Sequence, residues 1–405
     1  MPQRPPLHHA ASRHLGHLTF AVLLALALSL AGCSTLPPPP ITAELPLAQA
    51  VGMATDDAVR RMETERGLAR FLTIRPTQVY VAPVLDAISR QQTATTVRVR
   101  ELIAVHLKSQ HRGLELVPFT AAAAAVSDVR LDTTLTAATL PDGRRATDRM
   151  TLALRFVSLK DGRTLARSDA SIADGTLDGT PVAFFRESPF ALMAADASAT
   201  PAVPGAAVLS ERERTVSIAR LDEAGLAYSV GSYDRALMLY RSAATLPGAD
   251  TMQALVGTYL ASVRSGREDE SRDAFSRIVA LGLKTRAMGV KLLFSPGKTD
   301  YIADPAIRKP YPDWLREIAR QAGEAPSCLQ VIGHSSRTGA LDFNLTLSAQ
   351  RAAAVREQLE AANPMLARRI DTAGVAWRDN LVGTGSDDLK DAVDRRVEFK
   401  VVDCR

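Results

Sequence analysis

The chain has 405 residues, enough for two or three domains, and carries 49 basic and 44 acidic side chains for a formal net charge of +5 at pH 7. This near balance argues against a surface built to bind polyanions, so we predict no nucleic-acid partner. The three cysteines and seven histidines show no zinc-ligand spacing, and the sequence predicts neither a metal site nor a cofactor.

An apolar run extends from Leu18 to Leu30. It is shorter than the roughly 20 residues that a membrane-spanning helix needs, and it is typical of a signal-peptide core. The run ends in Leu30-Ala31-Gly32-Cys33, which resembles a bacterial lipobox. The resemblance implies a lipoprotein signal peptide over residues 1–32 and a lipidated Cys33 that carries palmitate or related acyl chains. Ser34, in place of an Asp, implies retention at the outer membrane, facing the periplasm.

Residues 33–44 include four consecutive prolines and are expected to form an extended tether. Residues 45–195 are predicted to form a mixed α/β domain, and residues 196–214, rich in Ala, Pro, Ser and Thr, a linker. Within the domain, Asp-Gly turns at positions 142–143 and 161–162 predict β-hairpins. The predicted order of strands and helices resembles the periplasmic domains of the CsgG and LpoB lipoproteins. The domain has no nucleophile elbow, phosphate loop or carboxylate dyad, so we predict a binding or spacer role rather than an enzyme.

Residues 215–285 show helical spacing throughout. Gly231 and Tyr240 recur as Gly266 and Phe275, each 35 residues later. This period is similar to the 34 residues of tetratricopeptide helix pairs. Two such pairs are fewer than the three or so that are stable alone, so we expect them to pack against a neighbouring domain. A docking surface for a partner protein and a helical spacer both fit the pattern.

Three blocks follow near the C-terminus: Gly333-His334-Ser335-Ser336-Arg337-Thr338-Gly339, Leu347-Ser348-Ala349-Gln350-Arg351-Ala352 and Arg395-Arg396-Val397-Glu398. In this order and spacing they resemble the C-terminal domain of the outer-membrane protein A (OmpA) family, whose members bind peptidoglycan. The resemblance implies a βαβαββ sandwich over residues 286–405, with a helix from Ala349 to Ala362 capped by Ser348. The whole chain is thus predicted to be an α/β and α multidomain protein: an N-terminal α+β domain, tetratricopeptide-like helical hairpins and an OmpA-like sandwich.

The resemblance also implies a ligand, the diaminopimelate end of a peptidoglycan stem peptide, which presents an ammonium and a carboxylate on one carbon. In the family, an Asp and an Arg 15 residues apart hold these two charges. Here Ser336 and Arg351 occupy the two positions. Arg351 can hold a carboxylate through two hydrogen bonds, whereas Ser336 is uncharged. Asp342 is the carboxylate nearest in sequence that can substitute, and Asn344 matches a family position that binds the ligand or its loop.

Ser335 and the pair Arg395 and Arg396 complete the predicted binding set, with one arginine structural and the other near the ligand. Because Ser336 removes the counter-ion of the ammonium, three outcomes remain open. The site retains weaker binding of peptidoglycan, prefers a different stem peptide, or keeps the fold without the ligand. We expect retained binding.

Two cysteines besides Cys33 remain, Cys328 and Cys404. Both lie in the OmpA-like region, and in an oxidising periplasm they form either a disulfide or two free thiols. The resemblance places their strands side by side and antiparallel, which favours the disulfide.

These features predict an outer-membrane lipoprotein that tethers the membrane to peptidoglycan and scaffolds an envelope complex through a protein partner at residues 215–285. The alternative is a regulator of a cell-wall synthase, or a component of a secretion assembly, acting through the N-terminal domain with wall binding weakened or lost. The sequence predicts no catalytic residue for either function.

Overall fold

The computed structural model describes most of the chain after residue 40, namely residues 41–66, 75–188, 209–247 and 251–404. These residues belong to one compact unit. The predicted signal peptide, Cys33 and most of the predicted linker lie outside the described residues. No described helix combines the length and the apolar character that crossing a bilayer requires.

The N-terminal region contains seven strands: β1 (Ile41–Leu45), β2 (Thr77–Val81), β3 (Leu85–Asp86), β4 (Leu114–Leu116), β5 (Val129–Thr139), β6 (Arg145–Ser158) and β7 (Thr164–Ala173). They form one mixed sheet in the order β1-β7-β6-β5-β2-β4, with β3 beside β5. β5, β6 and β7 pair antiparallel as two long hairpins. Gly143 and Gly162 supply the positive φ angles of the two turns, 79° and 73°. Both predicted Asp-Gly hairpins are therefore confirmed.

Two long helices pack on one face of this sheet, α1 (Leu47–Arg66) and α2 (Ala94–Gln110). Their apolar side chains recur three and four positions apart, and they share one buried core with the inward-facing residues of the strands. Thr93 and Thr96 form a capping box at the start of α2. Strand β1 begins at Ile41, so the tether predicted for residues 33–44 is shorter than expected, because its last residues pair with β7.

Two short helices follow within this region, α3 (Ala121–Val126) and α4 (Ala183–Glu187). Four longer helices come next: α5 (Glu211–Ser229), α6 (Tyr233–Ala243), α7 (Thr251–Arg264) and α8 (Glu268–Thr285). Consecutive helices in this group of four pack against one another. Helix α5 begins with a capping box between Ser210 and Glu213, so the predicted linker ends at residue 210 rather than 214.

The 35-residue period has a structural counterpart in these four helices. Gly231 follows α5 and Gly266 follows α7, and both have positive φ angles, 77° and 69°. Tyr240 in α6 and Phe275 in α8 are both buried. Each sequence repeat therefore corresponds to one helical hairpin.

The helical hairpins pack on both neighbouring regions. On one side, Arg100 of α2 forms a buried ion pair with Asp222 of α5, with Nη2 and Oδ2 2.6 Å apart, and the Tyr80 hydroxyl donates to the same carboxylate at 3.2 Å. On the other side, Trp314 stacks on Phe275 and donates its indole N–H to a tyrosine of α7 at 2.9 Å. The expectation that the hairpins pack against a neighbouring domain is confirmed.

The C-terminal region contains four strands, β8 (Lys291–Leu293), β9 (Cys328–Gly333), β10 (Ile370–Gly374) and β11 (Arg396–Val402), and three helices, α9 (Pro305–Arg308), α10 (Tyr311–Glu324) and α11 (Leu341–Ala362). The sheet order is β10-β9-β11-β8, and β11 runs antiparallel to both of its neighbours. Helix α11 packs on β9 and β10, and α10 packs on α11. The predicted βαβαββ sandwich, and with it the multidomain fold class, is confirmed.

A disulfide joins Cys328, at the start of β9, to Cys404, just beyond β11, with their Cα atoms 5.0 Å apart. Val402 is paired with Cys328 in the sheet, so the antiparallel register brings the two cysteines together. The predicted disulfide is confirmed.

Candidate functional site

A cavity of about 200 Å³ opens at one end of the C-terminal sheet. Three segments form most of its wall: the loop after β9, the first three turns of α11, and the loop that precedes the last strand. The lining residues are Gly297, Ser335, Ser336, Thr338, Gly339, Phe343, Asn344, Leu347, Arg351 and Asp387. Most of the predicted binding set therefore converges on one pocket.

Helix α11 carries the arginine of this pocket and lies unusually close to the sheet. Gly333 and Gly374, at the ends of β9 and β10, make the approach possible, because a Cβ at either position would overlap the backbone of α11. The predicted helix start at Ala349 is wrong, since α11 begins at Leu341. Ser348 is consequently not a cap: it accepts a hydrogen bond from the backbone N–H of Ala376 at 3.1 Å and so fixes α11 to the loop after β10.

Arg351 is fully buried in the wall of the pocket. Its Nε, Nη1 and Nη2 atoms donate to the backbone carbonyls of Lys298, His334 and Ser295 at 2.9 to 3.0 Å. These bonds use three of the five guanidinium N–H groups. Among the described residues no carboxylate pairs with Arg351, and burial together with the nearby Arg395 cation lowers the pKa of Arg351 to about 10. The pocket thus holds a cation that lacks an anionic partner.

Asp387 supplies the carboxylate of this pocket. Its Oδ1 accepts from the Ser336 hydroxyl at 2.5 Å and from Arg395 Nη1 at 3.1 Å, and its Oδ2 accepts from the Thr338 hydroxyl at 2.7 Å. Burial acts to raise the pKa of Asp387, but the Ser336 and Thr338 hydrogen bonds and the Arg395 charge outweigh it and hold the pKa below its usual value. Ser336, at the family's Asp position, therefore binds and orients a carboxylate that comes from another loop.

The loop that carries Asp387 is held by two further carboxylates, Asp391 and Asp394, both fully buried. Asp394 accepts backbone N–H bonds from residues 381, 382 and 383 at 2.6 to 3.0 Å. Asp391 accepts from the backbone N–H groups of residues 384 and 386 at 3.1 and 2.9 Å. Burial raises the pKa of Asp394 to about 6 against the effect of these donors. Asp387 itself has a positive φ of 57°, a backbone conformation that this network supports.

Of the other predicted residues, Asn344 and Ser335 line the cavity and Asp342 does not. Asp342, proposed as the substitute carboxylate, is exposed in the first turn of α11 and is not part of the pocket lining, so that prediction is wrong. Asn344 lines the pocket and donates to the carbonyls of Thr338 and Ala340 at 2.6 and 3.0 Å, which holds the loop after β9. Ser335 lines the pocket with a buried hydroxyl that has no hydrogen-bond partner among the described residues. That hydroxyl is available to a ligand.

The two arginines of the last block have different positions. Arg395 reaches the pocket through Asp387, as described above. Arg396 instead pairs with Glu398 at 2.7 Å, and Glu398 Oε1 also lies 3.2 Å from Nε2 of the buried His334. Burial lowers the pKa of His334. Arg396 and His334 therefore stabilise the end of the sheet outside the pocket. Arg395 is the arginine that lies next to the site.

The C-terminal region is similar to a known protein family. Residues 302–393 match the OmpA family. No curated protein matched the chain. Solved structures similar to it include the peptidoglycan-associated lipoprotein of Burkholderia pseudomallei, at 19% identity over 27% of this chain and 88% of that chain, with a TM-score of 0.23. The cell wall anchor of the T6SS from Pseudomonas aeruginosa is 23% identical over 32% of this chain and 97% of that chain, with a TM-score of 0.24. The predicted OmpA-like domain at the C-terminus is confirmed by the family match.

Proposed function

We propose that the pocket binds the diaminopimelate end of a peptidoglycan stem peptide, with Arg351 facing its carboxylate and Asp387 its ammonium. The observation that carries this proposal is a buried guanidinium, with no anionic partner among the described residues, beside a carboxylate held by two hydroxyls. A ligand that presents one negative and one positive charge a few ångströms apart matches both groups. Of the three outcomes open for a site with Ser336, this favours retained binding, with the counter-ion supplied by a different residue.

The electrostatic balance of the pocket supports a zwitterionic ligand over a simple cation. Arg395 already pairs with Asp387, so an ammonium alone meets a carboxylate whose charge is largely compensated. A carboxylate placed next to Arg351 supplies a counter-charge to a buried cation whose pKa is lowered by desolvation, and this is favourable. The free hydroxyl of Ser335 adds a further hydrogen-bonding group on the same wall.

In the cell, this site is one of two anchors of the chain. The lipobox-like segment that ends at Cys33 attaches the N-terminus to the outer membrane, and the C-terminal domain attaches the other end to the wall. Two attachments on one chain raise the effective concentration of the second, so moderate affinity for the wall is sufficient. The role is structural rather than catalytic, in an outer-membrane lipoprotein that faces the periplasm.

The helical hairpins at residues 215–285 connect the two ends of this tether. They share a continuous apolar core with the C-terminal domain, which favours a rigid spacer. Exposed apolar side chains remain on them, including Val230 and Met238, at 76% and 64% exposure. We include docking of an envelope protein on these hairpins as the second part of the proposal.

The test uses the full chain, purified in detergent and co-sedimented with lipid-free peptidoglycan sacculi. The wild-type protein is expected to pellet, and Asp387→Asn to bind about 10- to 100-fold more weakly, because hydrogen bonds to charged groups contribute about 1.5–3 kcal/mol. Asp388→Asn is the matched control: it makes the same change one residue later, on an exposed side chain. In cells, Cys33→Ser is expected to release the chain from the membrane fraction, whereas Asp387→Asn leaves it there.

Equal pelleting of the Asp387→Asn and Asp388→Asn variants would show that the pocket is not the binding site. A wild-type chain that stays in the supernatant would refute wall binding altogether. Membrane retention of Cys33→Ser would refute the lipid anchor without affecting the pocket.

A further inference from the structure

A second group of polar side chains lies far from the pocket in sequence, on the outer surface of the N-terminal region. His106 is in the last turns of α2, and His111 is the residue that ends this helix. Nε2 of His106 and Nε2 of His111 lie 2.7 and 2.8 Å from the same oxygen of Asp56, in the middle of α1. One ligand atom from each of the three residues lies within 4.8 Å of the other two.

Among the described residues, no lysine or arginine pairs with Asp56. The adjacent Asp57 pairs with Arg60 and Arg61, whereas among the described residues only the two imidazoles contact Asp56. Asp56 is half exposed, with a side-chain exposure of 49%, so solvent and ions reach the cluster. Two imidazoles and one carboxylate thus converge on one point that solvent reaches.

The backbone is shaped to admit the ring of His106. Gly52 lies one turn before Asp56 on α1, and a Cβ at this position would stand 3.3 Å from Cε1 of His106. The absence of a side chain there allows the imidazole to lie against α1 with its Nε2 directed at Asp56. Both histidines also lie at the C-terminal end of α2, where the negative end of the helix dipole favours a bound cation.

We propose that Asp56, His106 and His111 form a binding site for a divalent transition-metal ion of the zinc class. Zn²⁺ takes His nitrogens at about 2.0–2.1 Å and carboxylate oxygens at about 2.0–2.2 Å, and three protein ligands with water in the fourth position are a common arrangement. Ligands of one tetrahedral ion are about 3.3 Å apart at these bond lengths. Small rotations of the partly exposed rings reach that spacing from the separations observed here.

Binding of the ion replaces the two N–H···O hydrogen bonds by metal–ligand bonds. Each neutral imidazole shifts its proton from Nε2 to Nδ1, which frees Nε2 for the metal, and the Asp56 carboxylate contributes the negative charge. The ion then links the middle of α1 to the end of α2. These two helices pack on the same face of the sheet. A bound ion therefore cross-links the helical layer of the N-terminal domain.

The test is a Zn²⁺ titration of the metal-free full chain by calorimetry. All variants are made in a common background chain in which Gln replaces the four N-terminal histidines, so that their imidazoles do not bind Zn²⁺. These are His8, His9, His14 and His17. In this background the chain is expected to bind one Zn²⁺, and Asp56→Asn and His111→Gln to weaken that binding at least about tenfold. Asp148→Asn, an exposed acidic residue elsewhere on the domain, is the matched control and is expected to bind as the background does.

A second measurement follows Zn²⁺ by its effect on thermal unfolding. Zn²⁺ is expected to raise the melting temperature of the background chain and of Asp148→Asn, and to leave that of Asp56→Asn unchanged, since only a site present in the folded state stabilises it. Circular dichroism confirms that each variant is folded. Zn²⁺ binding of equal stoichiometry and affinity in the background and Asp56→Asn chains, or no binding by the background chain, would overturn the proposal.

Discussion

At the scale of single residues, the pocket receives its carboxylate from a loop distant in sequence. The carboxylate beside Ser336 comes from Asp387, 51 residues later, and not from the predicted Asp342, and the Ser336 hydroxyl donates to it. Arg351 stays at its expected position and is held by three backbone carbonyls. Because Arg351 also fixes these loops, its removal would disturb the fold as well as the ligand contact, so Asp387 is the better probe of binding.

The contact between Ser336 and Asp387 predicts how replacement of Ser336 by aspartate, the residue of the OmpA pattern, changes the stability of the protein. In Ser336→Asp the introduced carboxylate faces Asp387 instead of donating to it, so a hydrogen bond is lost and like charges are brought together. We expect urea unfolding at pH 7.5 to show a loss of about 1–3 kcal/mol relative to wild type. Two adjacent carboxylates raise the pKa of the pair, so the folded state binds an extra proton, and the loss is expected to shrink as the pH falls towards 5.

Ser336→Ala serves as the reference for this experiment, since it removes the hydrogen bond without adding a charge. Its loss of stability is expected to be smaller and to stay nearly constant between pH 7.5 and 5. If Ser336→Asp matched Ser336→Ala at both pH values, the two carboxylates would not be neighbours, contrary to the structure.

At the scale of elements, glycines determine how closely helices and strands approach. Gly333 and Gly374 allow α11 to lie on the sheet and thereby direct Arg351 into the pocket. Gly257 has the same role in the helical hairpins, where the buried ring of Tyr240 occupies the space a side chain would fill. In the first hairpin, close packing therefore depends on one contact, between the ring of Tyr240 in α6 and the glycine it faces in α7.

This contact predicts that Gly257→Ala destabilises the protein although Ala is the better helix former. The added Cβ would overlap the ring of Tyr240, and overpacking of a core typically costs about 1–3 kcal/mol. Urea unfolding of the full chain measures the change.

Gly225→Ala is the matched control, since Gly225 is also helical and a Cβ there would lie 3.6 Å from the Tyr240 hydroxyl, an ordinary contact. It is expected to be neutral or to stabilise the helix by up to about 1 kcal/mol. A stabilising effect of both substitutions would mean that α6 and α7 are not in close contact.

At the scale of the whole molecule, specific polar groups join the N-terminal region to the C-terminal domain. The hairpin between β5 and β6 reaches the pocket loops, where Arg337 donates to the Asp142 carbonyl at 2.5 Å and the Arg145 backbone N–H donates to the Gly383 carbonyl at 2.9 Å. Lys291 of β8, completely buried, donates to the carbonyl of Phe185 in α4 at 3.2 Å. The N-terminal region thus contacts the C-terminal domain at two places. One is at the loops around the pocket, and the other is at strand β8.

Lys291 predicts a pH dependence of stability. Burial, together with the nearby Arg396 cation, lowers the pKa of Lys291 to about 7. The unfolded chain, with an ordinary lysine pKa near 10.4, then binds more protons than the folded protein at intermediate pH. The free energy of unfolding is therefore expected to rise from pH 7 to 9.5, by at most about 1.4 kcal/mol per pH unit.

Lys291→Met, which keeps the length of the side chain without the amine, is expected to abolish this rise and to be the more stable protein at pH 7. Urea unfolding at several pH values measures the slope for both proteins. Parallel slopes for the wild-type and Lys291→Met chains would show that Lys291 does not titrate in this range.

The local patterns of the sequence determined the elements and their types. Asp-Gly pairs predicted both hairpins, the repeat of Gly231 and Tyr240 predicted the helical pairs, and the spaced C-terminal blocks predicted the OmpA-like domain with Arg351 in its pocket. These features are set by neighbouring residues or by short fixed spacings, so they can be recognised along the chain. Tertiary structure alone decided that Asp387 rather than Asp342 is the pocket carboxylate, and that Asp56 meets His106 and His111. In both cases, packing of a sheet and its helices brings together residues about 50 positions apart. The spacing of residues along the sequence does not reveal such a contact.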